Sequence, residues 1–104
     1  MREITPTELI EMAERGVDVQ ILDVRERDEV EVSMIEGATN IPMAELADRI
    51  DEVDDLRPVV VVCRVGIRSA RVAQMLLEKG YDAINLKGGM QAFAADIDPT
   101  IPVA

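Results

Sequence analysis

The stretch "VVVVCRVGIRSARVA", residues 59–73, gives the clearest indication of the fold class of this chain. Its four consecutive valines are apolar and β-branched, which is typical of a central strand that is buried on both faces of a parallel sheet. A short loop follows, and residues 68–80 then have a helical pattern in which Val72, Met75 and Leu76 face inward. A buried strand that passes through a loop into a helix predicts an α/β fold.

The same alternation of strand and helix extends in both directions from this stretch. The other strand-type segments are 2–4, 18–25 and 82–86. The other helical segments are 5–16, 26–32, 43–53 and 87–95. Thr5 and Glu8 form a capping box at the start of the first helix, and residues 35–42 have the composition of a loop. The pattern predicts one domain over residues 1–104, a layered sandwich around a mainly parallel sheet, with an irregular tail from about residue 96.

Composition and charge exclude several classes of function. The chain has 104 residues, of which 48% are hydrophobic, so it can bury a core. Its formal net charge of −10 argues against binding to nucleic acid or to an anionic membrane. The N-terminus has no apolar stretch of the signal-peptide type, and no run is long enough to span a bilayer. We therefore expect a cytoplasmic protein.

The chain contains one cysteine and no histidine. A single cysteine excludes an internal disulfide and a cysteine zinc cluster. The absence of histidine removes imidazole general bases and Cys-His pairs. The sequence therefore predicts no metal and no cofactor, and it leaves Cys63 as the candidate nucleophile.

Cys63 lies where a parallel sheet forms its sites, at the carboxyl end of a strand. Unpaired N–H groups at the start of the following helix, together with Arg64 and Arg68, favour the thiolate over the thiol. Gly66 allows a tight turn, so that several N–H groups can converge on one anion. The alternative is an inert cysteine in the core, but two arginines and a glycine at this point have no packing role.

The segment "CRVGIRSA" resembles the active-site loop of the rhodanese-like sulfurtransferases. Other matches follow the family order from about residue 4 to residue 95: "ILDVRERDE", "IEGATNIP", the extended cysteine segment and "LKGGMQAF". The resemblance implies a three-layer sandwich with a five-stranded, mainly parallel sheet flanked by helices. Met34 and Phe93 stand where the family often has histidine and tryptophan. Neither position carries the sulfur chemistry.

The resemblance also implies roles for individual residues. Cys63 would attack a sulfane sulfur donor and hold the sulfur as a persulfide. Arg64 and Arg68 would bind the anionic end of a donor such as thiosulfate, and Asp23 and Arg25 would orient the loop. The loop residues whose backbone N–H groups would surround the outer sulfur are Arg64, Val65, Gly66, Ile67, Arg68 and Ser69. The acceptor would be a thiol, cyanide or a protein.

Two other interpretations remain open. A cysteine phosphatase or arsenate reductase of the same fold needs one more residue between cysteine and arginine than the four that separate Cys63 from Arg68. The shorter loop favours a single sulfur atom over a phosphate. The second alternative is a slow persulfide carrier or a partner-binding module in a sulfur relay, which the sequence does not distinguish from a fast enzyme.

Overall fold

The computed structural model describes residues 1–104. The strands are β1 (Glu3–Ile4), β2 (Gln20–Asp23), β3 (Thr39–Asn40), β4 (Val59–Val62) and β5 (Ala83–Leu86). The helices are α1 (Pro6–Glu14), α2 (Arg27–Val32), a 3₁₀ helix (Met43–Glu52), α3 (Ile67–Glu78) and α4 (Gly89–Asp96). The strands form one sheet in the order β1-β5-β4-β2-β3, and every neighbouring pair is parallel. The predicted five-stranded α/β fold is confirmed.

The central strand β4 divides the core into two halves. All four valines of β4 are fully buried, as the apolar run predicted. Successive side chains of a strand point to opposite faces of a sheet. Val59 and Val61 therefore join the cluster that contains Leu76 of α3, whereas Val60 and Val62 join the cluster that contains residues of α1 and α4. Helices thus cover both faces of the sheet, and the loop after β4 lies at the carboxyl end of the strands, between the two helical layers.

The capping box predicted at the start of α1 is present. The Thr5 N–H donates to Glu8 Oε1 at 2.9 Å, and the Glu8 N–H donates to Thr5 Oγ1 at 3.1 Å. These two bonds satisfy N–H groups that have no partner within the helix. They fix the point at which the chain leaves β1, the edge strand that pairs with β5.

The helix predicted over residues 43–53 is present, and it is a 3₁₀ helix over Met43–Glu52. No side chain caps its first turn, which follows Pro42. Arg49, with φ −121° and ψ 18°, leaves the helical region and divides the segment. The hydrophobic spacing was nevertheless informative, because Leu46 is buried and Ile50 packs against the same core.

The loop predicted for residues 35–42 contains a short strand that the sequence did not indicate. β3 has only two residues, and it pairs with the end of β2. Asn40 holds it there, because its side-chain amide donates to the backbone oxygens of Asp23 and Arg25, each at 3.0 Å. Asparagine has little intrinsic preference for strands, so β3 depends on these tertiary hydrogen bonds, which local sequence does not reveal.

Because all the strands are parallel, the carboxyl ends of the central strands lie at the same end of the sheet. The register pairs Asp23 of β2 with Val62 of β4, so the chain after β2 and the chain after β4 leave the sheet side by side. The Val24 N–H donates to the Val62 oxygen at 3.0 Å and extends this alignment beyond the strands. No helix of the protein combines the length and the apolar character that a membrane crossing requires.

Candidate active site

The loop between β4 and α3 turns back on itself at Gly66. This residue has φ +97° and precedes the first residue of α3. A Cβ atom here would lie 3.2 Å from the Gly88 nitrogen and 3.4 Å from the Leu86 oxygen, so a side chain would be strained by the positive φ and tightly packed against the backbone. The turn directs the Gly66 N–H at Cys63 Sγ, to which it donates at 3.1 Å.

The carbonyl groups of the same loop are held from the opposite side by α4. The N–H groups of Met90 and Gln91 donate to the oxygens of Cys63 and Arg64 at 2.9 and 3.0 Å. Gly89, with φ +57°, makes this approach possible, because a Cβ atom there would lie 2.4 Å from the Cys63 oxygen. With its carbonyl groups anchored, the loop leaves its N–H groups available to the sulfur.

The environment of Cys63 favours the thiolate. The residue is only 1% exposed, and this burial raises the thiol pKa. Hydrogen bonds from the Ser69 hydroxyl and from the backbone N–H groups of Ser69, Gly66 and Val65 outweigh the burial, so that the pKa of Cys63 lies below its usual value. Of the six loop residues from Arg64 to Ser69 whose N–H groups were expected to surround the sulfur, Val65, Gly66 and Ser69 lower the pKa of the thiol in this way.

A buried network of hydrogen bonds connects Cys63 to β5 and, through it, to β1. Ser69 Oγ lies 3.2 Å from Cys63 Sγ and donates to Asn85 Oδ1 at 2.6 Å. The Asn85 amide nitrogen donates to Glu3 Oε2 and to the Gly66 oxygen, at 2.9 and 3.1 Å. Two acceptors fix the orientation of this amide, so Oδ1 faces Ser69. Ser69 has a single hydroxyl hydrogen, so it donates fully to only one of Asn85 Oδ1 and Cys63 Sγ at a time.

Asn85 was missed in the sequence, although a signal was present. It is the one polar residue within β5, whose other residues are Ala83, Ile84 and Leu86, and it is 1% exposed. A buried amide requires partners for its donors and acceptor. A polar side chain in the middle of a fully buried strand next to the candidate loop could therefore have been identified as a support of the site.

The two arginines of the loop have different environments. Arg68 forms a bidentate ion pair with Glu29 of α2, with N–O distances of 2.7 and 2.8 Å. Its guanidinium lowers the pKa of Glu29 to about 2. Arg64 is exposed and pairs with no carboxylate. The positive charge that the loop presents without compensation is therefore that of Arg64.

Asp23 and Arg25 form a buried ion pair beside the loop. Arg25 donates to both carboxylate oxygens of Asp23, with the shortest contact 2.8 Å, and also donates to the Ser33 oxygen at 2.7 Å. None of the hydrogen bonds of the two side chains reaches residues 63–69. The pair instead anchors the chain that follows α2, the helix that carries Glu29.

Replacement of Ser69 is expected to weaken the thiolate. Ser69→Ala removes the side-chain hydrogen bond that lowers the pKa of Cys63. A hydrogen bond of this kind contributes about 0.5–1.5 kcal/mol, so alkylation of Cys63 by iodoacetamide at neutral pH should slow by about two- to tenfold. Ser33→Ala, which changes the chain's other serine, the residue immediately after α2, is the matched control. Equal alkylation rates for Ser69→Ala and the parent would contradict the assignment.

Comparison with known proteins identifies similar sequences over most of the chain. The rhodanese-like domain model matches residues 5–96. The chain is 33% identical over 99 residues to the putative sulfurtransferase YtwF of Bacillus subtilis, covering 95% of this chain and 96% of that protein. It is 38% identical over 93 residues to the thiosulfate sulfurtransferase GlpE of Shewanella oneidensis, covering 88% and 91% of the two chains.

Solved structures agree with these sequence matches. A rhodanese-like domain protein from Staphylococcus aureus superposes with a TM-score of 0.87 at 34% identity, covering 100% of this chain and 99% of the other. Other curated relatives are longer, and the chain spans less than two thirds of their length.

Proposed function

This chain belongs to the rhodanese-like family, and relatives that match it over most of its length are named as sulfurtransferases. On that basis we propose that Cys63 carries the transferred sulfur as a persulfide. The donor is a small sulfane sulfur compound such as thiosulfate or a persulfide, and the acceptor is a thiol, cyanide or a protein. The observation that supports this proposal best is the hydrogen bond from the Gly66 N–H to Cys63 Sγ, in a loop whose Val65 and Ser69 N–H groups also lower the pKa of the thiol.

In the first half-reaction, the Cys63 thiolate attacks the outer sulfur of the donor. A new S–S bond forms to Sγ, and the bond between the outer sulfur and the rest of the donor breaks. With thiosulfate the leaving group is sulfite, which departs with the electron pair and is stable as an anion. The loop N–H groups stabilise the negative charge on the persulfide, and the hydrogen bonds that lower the pKa of Cys63 favour the thiolate, so the step uses no general base.

In the second half-reaction, a nucleophilic acceptor attacks the outer sulfur of the Cys63 persulfide. The S–S bond breaks, and its electron pair returns to Sγ as the thiolate. Ser69 and the N–H group of Gly66 are placed to stabilise this leaving thiolate, since they already hydrogen-bond Sγ. The same contacts therefore support both half-reactions, and the absence of histidine from the chain is no obstacle.

Mass spectrometry of the intact protein tests this proposal. Incubation with thiosulfate should add one sulfur atom to Cys63, and cyanide should then remove it and yield thiocyanate. The protein has one cysteine, so the added mass has one thiol to which it can be assigned. A protein that never gains sulfur from thiosulfate or from an organic persulfide would overturn the proposed function.

A slow sulfur relay is the second candidate, and the shielding of Cys63 favours it. A residue that is 1% exposed is reached only by a narrow donor group or after the loop opens. Rapid loading of one sulfur followed by slow release to cyanide would support the relay. Repeated turnover with a rate equal to that of loading would support the enzyme.

Arg68→Ala is expected to slow loading from thiosulfate by about ten- to a hundredfold. In the parent, both terminal nitrogens of Arg68 bind Glu29, so the change leaves that carboxylate beside the loop without a counter-charge, and it repels the thiosulfate dianion. A lost charge-assisted contact of this kind is worth about 1.5–3 kcal/mol. Arg68→Lys should recover part of the rate, because it keeps the charge but loses the planar fork. Initial rates of persulfide formation measure both variants.

Arg49→Ala is the matched control for this experiment. Arg49 also pairs with carboxylates, those of Glu45 and Glu52, but it lies on the 3₁₀ helix outside the loop. It should load sulfur at the parent rate. An aryl phosphate assayed in parallel tests the phosphatase alternative. Undiminished loading in Arg68→Ala, or measurable phosphatase turnover in the parent, would contradict the role given to this arginine.

A further inference from the structure

We propose that Glu29 sets the donor preference of this site by neutralising Arg68, so that a weakly charged organic persulfide loads Cys63 in preference to the thiosulfate dianion. The inference rests on the proposed function, because it concerns which donor reaches the same thiol. Glu29 was not identified from the sequence, and its part is to modify the charge that Arg68 presents to the donor.

Glu29 is held in place before any donor arrives. Its Oε1 accepts from the N–H of Glu26 at 2.9 Å, which closes the capping box at the start of α2. Both carboxylate oxygens accept from the two terminal nitrogens of Arg68. A bidentate pair of this kind is directional and stronger than a single contact. The side chain of Glu29 is 19% exposed, so water screens the pair less than it screens the other ion pairs of the surface.

The charge of Glu29 persists throughout the range in which a thiolate enzyme can be assayed. The pKa of its carboxyl is lowered to about 2, first by the hydrogen bonds from Arg68. The same contact raises the pKa of the Arg68 guanidinium. Near neutral pH the two groups therefore form a compensated pair, and Arg64 is left as the uncompensated cation of the loop.

Thiosulfate depends on such charge more than an organic persulfide does. It carries two negative charges and must approach a thiolate, so its encounter with the site needs nearby cations. A persulfide R–S–SH carries at most one negative charge on its sulfurs. Neutralisation of Arg68 therefore penalises thiosulfate more strongly than the persulfide.

The rim of the loop is an independent indication of the same preference. Val65 and Ile67 lie on either side of Gly66, and they are 42% and 65% exposed. Exposed aliphatic side chains at a site offer contact area to the carbon part of a ligand. An organic persulfide has such a part next to its sulfurs, whereas thiosulfate has none. The apolar rim and the compensated arginine thus favour one class of donor.

The transfer from an organic persulfide needs no further reactant. The Cys63 thiolate attacks the outer sulfur of R–S–SH, a new S–S bond forms to Sγ, the S–S bond of the donor breaks, and RS⁻ leaves with the electron pair. The proton of the outer sulfur stays on the new Cys63 persulfide or passes to RS⁻ through water. Sulfur is neither gained nor lost, and no oxidant or reductant is consumed.

The test compares loading rates for two donors in Glu29→Gln and in the parent. Thiosulfate and benzyl hydropersulfide generated in situ serve as donors, and intact mass after rapid quenching gives the rate constant for the gain of one sulfur. The ratio of the thiosulfate constant to the persulfide constant should rise by about tenfold in Glu29→Gln, and the rise should shrink as salt is added. A merely structural role would lower both constants and leave the ratio unchanged.

Two further variants make the outcome decisive. Glu45→Gln removes an exposed carboxylate that binds Arg27 and Arg49 rather than a loop arginine, and should keep the parent ratio. Glu29→Gln combined with Arg68→Gln restores the parent net charge and should return the ratio to within about threefold of the parent value. Circular dichroism verifies that each variant is folded. If Glu29→Gln alone is not folded, the double variant still tests the charge argument.

The possible failures are distinguishable. If the ratio in Glu29→Gln stays within twofold of the parent, or is the same in the single and double variants, the role of Glu29 is overturned while the Cys63 chemistry stands. If the parent gains no sulfur from either donor, the proposed function itself fails. Replacement of Ile67 by serine should lower loading from benzyl hydropersulfide more than loading from thiosulfate, and the opposite order would contradict the role of the apolar rim.

Discussion

Cys63→Ser is expected to lose sulfur transfer completely with every donor. The serine hydroxyl has a pKa far above that of a thiol, so it is not ionised near neutral pH and does not attack sulfur. The loop N–H groups then have no thiolate to stabilise, however well they are placed. Neither a gain of one sulfur by mass nor thiocyanate formation above the background without protein should be observed.

The loss must be separated from misfolding. The hydroxyl introduced by Cys63→Ser could still accept the hydrogen bond that the Gly66 N–H gives to Sγ, so we expect the fold to be retained. Thermal unfolding followed by circular dichroism checks this. A folded Cys63→Ser protein that still gains sulfur would place the chemistry elsewhere and would contradict the assignment of the nucleophile.

Gly89→Ala is expected to have the second-largest effect, on both stability and loading. A Cβ atom at this position would lie 2.4 Å from the Cys63 oxygen and 2.7 Å from the carbonyl carbon and oxygen of Arg64. These are backbone atoms, so relief requires that the loop move. Overpacking of this kind costs about 1–3 kcal/mol, and the positive φ adds about 1 kcal/mol.

The free energy of unfolding should therefore fall by about 2–4 kcal/mol, as measured by urea denaturation. Loading should slow more than tenfold, because the displaced carbonyl groups no longer hold the loop N–H groups on Sγ. Gly37→Ala is the matched control, since Gly37 has φ +83° but nothing lies within 4 Å of its added Cβ. If the two variants were equally stable and equally active, the proposed contact between α4 and the loop would be unimportant.

Much of the fold could be predicted from local patterns. The valines of β4 are buried on both faces, and Thr5 with Glu8 caps α1, because these features depend on residues that are neighbours in the chain. The position of Cys63 was predictable for a related reason. The loop after a buried parallel strand lies at the carboxyl end of that strand, where the N–H groups at the start of the next helix are exposed, and Gly66 supplies the turn.

The partners of the site could not be predicted, because they come from distant parts of the chain. Glu29 precedes Arg68 by 39 residues, and nothing in the sequence of α2 distinguishes it from the other acidic residues nearby. The sequence also associated the arginines with stabilisation of the thiolate. In the structure, hydrogen bonds from Ser69 and the loop backbone lower the pKa of Cys63. The expected role of Arg68 differs from the observed one because Arg68 binds the Glu29 carboxylate in the folded protein.

The bond from Asn85 to Glu3 has a consequence for how the site is assembled during folding. It connects the first strand to the strand next to β4, and the Cys63 carbonyl accepts its bond from α4, which follows still later in the chain. Contacts of such large sequence separation form late and slow the folding of a domain. During synthesis, Cys63 leaves the ribosome before Asn85 and Gly89 do. The thiol is thus unshielded until the last third of the chain is available, and oxidants can reach it in that interval.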